Sequence, residues 1–256
     1  MRVKPWIEAL CRLVYPEQCL VCGGLLGLGA RHFCPGCREG LPWVGEHACS
    51  RCGAPVGLHA STAQGCARCR SRHLAFRRAV APLRYQGVAR DLILAFKLGR
   101  RASLSYVLGE ILCGYLAEGG LSQAADLVVP VPLHWRRRVS RGFNQAALIA
   151  LEVATRFRLP LAHRLLVRRR ATVSQTALSG LGRGANVRGA FAVRPAAGAL
   201  RRLLRREAGP RSLLGKRVLL VDDVFTTGAT VHECARVLRE AGAAEVLVAT
   251  IAHTCR

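Results

Sequence analysis

The sequence predicts an α/β domain built on a parallel sheet, preceded by a small cysteine-rich module. Three observations predict it. From about Phe76 onward, strand-like and helix-like apolar segments alternate along the chain. Residues 217–224, RVLLVDDV, form a continuous apolar run that ends in two acids, as a central parallel strand does at its ligand edge. Before that, eight cysteines fall in four Cys-x-x-Cys pairs within the first 70 residues, among frequent Gly and Pro. Such a segment cannot form a large core and needs staples. The 256 residues suit one or two domains. The boundary is placed near residues 72–76, giving a module at 1–75 and a larger domain at 76–256.

The elements follow in order. MRVKPWIEALCRLVYP at the start reads as a short amphipathic helix, because its apolar run contains Glu8 and carries no small-residue cleavage site. Docking on its own domain is the plain expectation; peripheral attachment to the inner face of a membrane is the second. RAVAPLRY at 78–85 is an opening strand, and 87–96 and 104–116 have helical spacing. DLVVPVPL at 126–133 reads as a buried strand, followed by a helix at 143–157 with Pro160 beyond its end. Residues 164–190 are rich in Arg, Gly and Ser and show no periodicity. The basic run within 195–211 reads as a helix with a solvated cationic face. After the strand at 217–224, Val231, Cys234, Ala235, Leu238 and Ala241 share one helical face, Gly242 ends the helix, and EVLVATIAH at 245–253 returns as a strand.

About half the residues are apolar, yet no stretch reaches the roughly 18 uninterrupted apolar residues of a membrane span. Glu110, Glu118 and Glu152 interrupt the longest candidates. No integral membrane segment is expected, and the cytoplasm is the expected location. The net charge is +24, almost all of it from Arg, with Lys4, Lys97 and Lys216 the only lysines. A field of that sign attracts polyanions: nucleic acid, phosphorylated small molecules, anionic lipid. Only four Asp occur, and Asp222 and Asp223 are adjacent.

The four pairs are Cys19/Cys22, Cys34/Cys37, Cys49/Cys52 and Cys66/Cys69. The first two are separated by 11 residues and the last two by 13. Each set of four suits tetrahedral thiolate coordination of Zn²⁺. Two consecutive zinc ribbons are the first choice; interleaved pairing and a disulfide role use the same spacings. Cys11, Cys113, Cys234 and Cys255 lack such spacing, and Cys113 and Cys234 fit buried helical positions. Arg51, Arg68, Arg70, Arg72, Arg77 and Arg78 surround the module and favour a nucleic-acid partner modestly. Trp6, Trp43, Phe33 and Trp135 are capable of stacking on bases, though core is the preferred reading for each.

In VLLVDDVFTTGATV, 218–231, a strand delivers two carboxylates and then turns through Thr and Gly into a helix. Thr226, Thr227 and Thr230 offer hydroxyls, Gly228 admits close backbone approach, and Ala229 precedes a helix expected from Thr230, whose first N–H groups face the same spot. That is a seat for a phosphate monoester. Asp222 and Asp223 repel phosphate and suit the hydroxyls of an attached sugar, or a metal ion. Together they describe a ribose 5-phosphate site.

This segment resembles the signature of type I phosphoribosyltransferases, which bind phosphoribosyl pyrophosphate (PRPP). The resemblance gives Asp222 and Asp223 the ribose hydroxyls and 226–230 the 5-phosphate. It puts the loop holding Pro132 and Arg141, with Arg136, Arg137 and Arg138, beside the pyrophosphate. Further strings narrow the match. VPVPLHWRRRVSRGFNQA at 129–146 is similar to the VPVPL…RRGFNQ motif of the ComF/GntX family, competence-associated phosphoribosyltransferase-like proteins. Arg170, Thr172, Gln175, Leu178, Arg183, Asn186 and Phe191 match a second family string, and Tyr85, Gly87, Arg90, Phe96, Lys97 and Gly99 a third.

The resemblance implies a type I phosphoribosyltransferase-like sheet flanked by helices, and a glycosyltransferase reaction with an unassigned acceptor. Pyrophosphate would leave C1 of Mg²⁺-bound PRPP, with Asp222 and Asp223 on the ribose, arginines on the pyrophosphate, and 164–190 as a lid. It also implies a link to natural transformation, with single-stranded DNA and DNA-uptake proteins as partners. A non-catalytic PRPP-binding protein that handles DNA, or a PRPP-responsive regulator, stands as the alternative.

Overall fold

The computed structural model describes residues 17–27, 29–58, 64–98, 101–121, 123–134, 139, 142–170, 187–194 and 213–255. They fall into two compact units that divide between Pro42 and Trp43. The N-terminal helix expected at 1–16 and the basic run at 195–211 lie outside the described residues.

The described residues of the first unit form a cysteine knuckle and a short helix. Gln18 and Leu25 form an antiparallel bridge around Cys19–Cys22. The Cys19 N–H donates to the Gly24 carbonyl at 2.8 Å, and the Gly23 N–H returns to the Cys19 carbonyl at 2.9 Å. Gly23 takes φ +70°, which the tight turn requires and only glycine adopts freely. Cys34 caps α1 (Pro35–Glu39), whose first residue is proline, suited to that position because its nitrogen has no hydrogen to satisfy.

The second unit opens on the same device. Ala48 and Pro55 bridge around Cys49–Cys52, Cys49 N–H reaches the Ala54 carbonyl at 2.7 Å, and Gly53 N–H reaches the Cys49 carbonyl at 2.9 Å. Cys66 caps α2 (Ala67–Arg70). Gly53 sits at φ +71°, and a Cβ there would lie 2.7 Å from the Ala79 carbonyl oxygen. The knuckle is therefore pressed directly on the first strand of the sheet.

That sheet is parallel throughout. Its strands are β1 (Arg78–Val80), β2 (Leu83–Arg84), β3 (Leu127–Pro130), β6 (Arg217–Phe225) and β7 (Glu245–His253). They run in the order β1, β7, β6, β3, with β2 continuing β1 along the same edge of β7. The single strand expected at 78–85 is thus two short ones. Pro82 lies between them, and without an N–H it cannot extend the ladder. A separate antiparallel pair joins β4 (Leu166–Arg168) to β5 (Phe191–Val193).

Among the described residues, four longer helices flank the sheet: α3 (Gly87–Leu98), α4 (Leu104–Glu118), α5 (Gln145–Phe157) and α6 (Ala229–Glu240). Alternation along the strands sends side chains to both faces. Leu127, Val129, Val218, Leu220, Val246 and Val248 join α6, the β4–β5 pair and the second cysteine cluster in one buried apolar cluster. Val128, Leu219 and Val221, fully buried, turn the other way, and α5 packs against β3 and β6 while α4 packs against β7. Gly109 lets α4 and α5 close, since a Cβ there would meet Glu152 at 2.6 Å. At the N-terminal end of the strands Arg217 grips Asp126 through its backbone N–H at 2.9 Å and its guanidinium at 2.9 Å and 3.3 Å.

No helix among the described residues is long and apolar enough to cross a membrane.

Candidate functional site

The register of β6 decides where its acids emerge. Arg217 to Phe225 pair with β7 from Glu245 to His253, and Val218 to Val221 are apolar and buried. Asp222 and Asp223 follow at its C-terminal half, where parallel sheets open to ligands. The chain then turns at Thr226–Gly228 and enters α6 at Ala229. Gly228 holds φ +78°, and a Cβ there would lie 2.7 Å from Phe225 Cζ. Thr227 Oγ1 accepts the Ala229 N–H at 3.4 Å. The ring of Phe225 is wedged between His253, stacked at 4.8 Å, and Phe76, edge-on at 6.2 Å. The strand–turn–helix expected at 217–241 is therefore present, with both acids and all three threonines at one edge.

The two carboxylates occupy different environments. Asp222 Oδ1 accepts the Asp223 N–H at 2.9 Å. Burial, followed by the charge of Asp223, pushes the Asp222 carboxyl up to about 7. Asp223 is instead paired with Lys97 Nζ at 2.9 Å. Two adjacent carboxylates resist ionising together, and a cation beside one lowers that cost. Lys97 lies in the last turn of α3 and is the residue sequence reasoning left out of the site. Its signal was there: it is one of three lysines and belongs to the F-K-x-G string.

The other family strings meet at the same edge. Phe96 packs against Phe143 with centroids 5.5 Å apart and the rings tilted by 35°, joining the F-K-x-G string to the GFNQ string. Asn144 Nδ2 donates to the Val131 carbonyl at 3.1 Å, and Val131 N–H donates to the Val221 carbonyl at 2.8 Å. Pro132 is thus fixed beside the strand that carries Asp222. Arg141 and residues 136–138 lie outside the described residues.

Of the segment expected as a lid, 164–170 and 187–190 are described. Its ends are tied down by the β4–β5 pair, by Arg170 Nη2 on the Arg188 carbonyl at 3.1 Å, and by Gly189 N–H on Glu233 Oε1 at 2.7 Å. Arg236 holds the Glu233 carboxylate, which with Gly189 keeps it below the ordinary range. Thr172, Gln175, Leu178, Arg183 and Asn186 lie outside the described residues.

The eight cysteines form two clusters: Cys19, Cys22, Cys34 and Cys37, then Cys49, Cys52, Cys66 and Cys69. Within each, the sulfurs all lie within 4.8 Å of one another. The pairing is consecutive and not interleaved. Tetrahedral zinc with Zn–S bonds of about 2.3 Å spaces its sulfurs by about 3.8 Å. Cys22 and Cys34 Sγ stand 3.9 Å apart, and Cys52 and Cys66 Sγ 3.8 Å apart. Both donor sets fit Zn²⁺. Cys113 and Cys234 are buried in helices, as their positions implied. Phe33 is buried, whereas Trp43 is exposed.

The arginines around the second cluster are largely occupied by protein. Arg51 donates to the Cys69 and Arg72 carbonyls, Arg70 to the Gly65 carbonyl, Arg72 to the Thr227 carbonyl, and Arg77 to the Glu245 carboxylate.

Comparison with known proteins agrees with this architecture. A double zinc ribbon domain matches residues 10–70, and a phosphoribosyl transferase domain matches residues 144–254. The DNA utilization protein YhgH of Escherichia coli is 30% identical over 246 residues, covering 94% of this chain and 99% of that one. Competence protein F of Haemophilus influenzae is 27% identical over 236 residues, covering 90% and 94%. Competence protein ComFC of Bacillus subtilis is 27% identical over 217 residues, covering 82% and 79%. Among solved structures, a glutamine PRPP amidotransferase of B. subtilis complexed with ADP and GMP is 25% identical with a TM-score of 0.36, covering 59% of this chain and 26% of that one.

Proposed function

The chain belongs to the ComF/GntX family, and from that premise we propose that its loop at 221–230 holds PRPP, with Mg²⁺ on the ligand's pyrophosphate, for phosphoribosyl transfer to an unassigned acceptor. The single observation that carries this reading is the juxtaposition at one sheet edge. An acid pair, one member of it held by Lys97, precedes a glycine turn that opens a helix. A phosphate monoester fits the turn and helix N–H groups, and two carboxylate acceptors fit adjacent ribose hydroxyls.

In this reading Asp222 and Asp223 grip the ribose, and 226–230 grips the 5-phosphate. Departure of pyrophosphate leaves positive charge on the sugar, which the two carboxylates stabilise. Pro132 and Arg141 flank the leaving group. Mg²⁺ carried in with PRPP would supply positive charge against the pyrophosphate. Residues 1–75 act as a double ribbon and 76–256 as the transferase-like domain, in the cytoplasm.

The relatives' names favour a second reading. These are DNA utilization and competence proteins, and this chain carries a net charge of +24. In that reading PRPP is bound without turnover, and basic surface holds single-stranded DNA in the company of DNA-uptake proteins.

The deciding experiment mixes zinc-replete protein, Mg²⁺, PRPP and a panel of nitrogen acceptors. Acceptor-dependent pyrophosphate release supports transfer. PRPP binding without release, together with salt-sensitive binding of single-stranded DNA, supports the second reading.

A further inference from the structure

The second cysteine cluster touches the phosphate loop at a point where no family string places a residue. Arg72 lies two residues beyond α2, and its Nη1 donates to the Thr227 carbonyl at 3.2 Å. The main chain of Arg72 is itself held. Its N–H donates to the Cys69 carbonyl at 3.1 Å, and its carbonyl accepts Arg51 Nη2 at 3.0 Å. Arg51 Nη1 also holds the Cys69 carbonyl, at 2.5 Å. Gly65 makes room for this arginine, since a Cβ there would lie 2.7 Å from its Cδ.

Two further contacts fix the same face. Ala75 N–H donates to His232 Nδ1 at 3.1 Å, in the first turn of α6. Burial lowers the His232 pKa, which keeps that nitrogen an acceptor. Phe76 packs edge-on against Phe225, the last residue before the turn.

We propose that the second cysteine cluster is a working part of the phosphate seat: it holds Arg72 on the Thr227 carbonyl, and Arg72 thereby orients the turn that grips the ligand's 5-phosphate. The inference rests on the ribose-phosphate reading of that loop. The physics is that of one peptide plane. In a trans peptide the carbonyl and the following N–H point in opposite directions. A donor that anchors the Thr227 carbonyl therefore sets the direction of the Gly228 N–H, one of the groups available to a phosphate. The guanidinium also places a permanent positive charge against the loop. Arg72 is a positioning residue in this scheme, and the metal-bound ribbon is its support.

The test compares the full chain with Arg72→Ala and Arg72→Lys, using two probes at pH 8: ribose 5-phosphate for the phosphate end and Mg²⁺-pyrophosphate for the leaving-group end. Arg72→Ala is expected to weaken ribose 5-phosphate roughly tenfold, the worth of a charge-assisted hydrogen bond, and to leave pyrophosphate within about twofold. Arg72→Lys restores part of the loss, because an ammonium donates one such bond. Zinc content stays at two per chain in all three proteins. Unchanged ribose 5-phosphate binding in Arg72→Ala overturns the inference while leaving the ribose-phosphate site standing. Equal loss of both probes also overturns it, since that reports general damage. Absence of ribose 5-phosphate binding by the unaltered chain overturns the site and the inference together.

Discussion

The ammonium of Lys97 stands 2.9 Å from Asp223 and joins the end of α3 to the acid-bearing half of β6. The same ammonium also favours the ionised form of Asp222, against burial and the charge of Asp223. Lys97→Met should therefore raise the Asp222 carboxyl above its value of about 7 and keep it protonated at neutral pH. Ribose 5-phosphate binding is expected to weaken about tenfold at pH 7 and to recover toward pH 9, where the Asp222 carboxyl ionises. Lys97→Arg should keep the profile of the unaltered chain. Calorimetric titrations between pH 6 and 9 read this out, and a flat profile in Lys97→Met removes Lys97 from the site.

Asp222 gives a second pH effect, with a definite sign. Its carboxyl is raised from 3.8 to about 7 by burial and by Asp223. Between those values the folded state binds more protons than the unfolded one, so stability falls as pH rises from about 4 to about 7. Asp222→Asn abolishes that loss. The variant should melt a few degrees above the unaltered chain at pH 8, at about 2–4 °C for each kcal/mol, and match it near pH 4. Melting curves at the two pH values check it; a lower melting temperature at pH 8 contradicts it.

Gly228→Ala tests the turn itself. The substitution strains φ +78° and sets a methyl 2.7 Å from Phe225 Cζ. The Phe225 ring cannot retreat, because His253 and Phe76 pack on it. The expected cost is about 1–3 kcal/mol in a denaturant titration, with ribose 5-phosphate binding lost.

The two cysteine clusters should behave differently. Cys49, Cys52 and Cys69 are buried in the apolar cluster that includes the sheet, whereas Cys22 of the first cluster is exposed. Metal analysis should find two Zn²⁺ per chain. Cys66→Ser is expected to lower the main melting transition by several degrees, and Cys22→Ser to lose one zinc with little change in it. Equal effects of the two substitutions would count against a shared core.

Much of this was readable because each long element carried its own pattern. The run at 217–224 could be read as a strand since four consecutive apolar residues precede the acids, and β6 spans Arg217–Phe225. Val231, Cys234, Ala235 and Leu238 gave α6 by spacing, and all four are buried. The β4–β5 pair was not legible. Each strand has three residues, too few to show alternation, and the partners are far apart in sequence. Lys97 was named as a motif residue and not as a partner of Asp223, because a pairing across 126 positions leaves no local trace. The Arg72 contact with Thr227 was hidden for the same reason, among six arginines that composition cannot tell apart.

The central claim is that Asp222 and Asp223 with the turn at 226–230 form a ribose 5-phosphate site. Its most direct test is equilibrium binding of PRPP with Mg²⁺ to the zinc-replete chain and to the double variant Asp222→Asn, Asp223→Asn. The account predicts saturable binding by the unaltered chain and at least a tenfold loss in the double variant, whose neutral amides cannot replace two carboxylate acceptors. PRPP binding of equal strength in both proteins would contradict it.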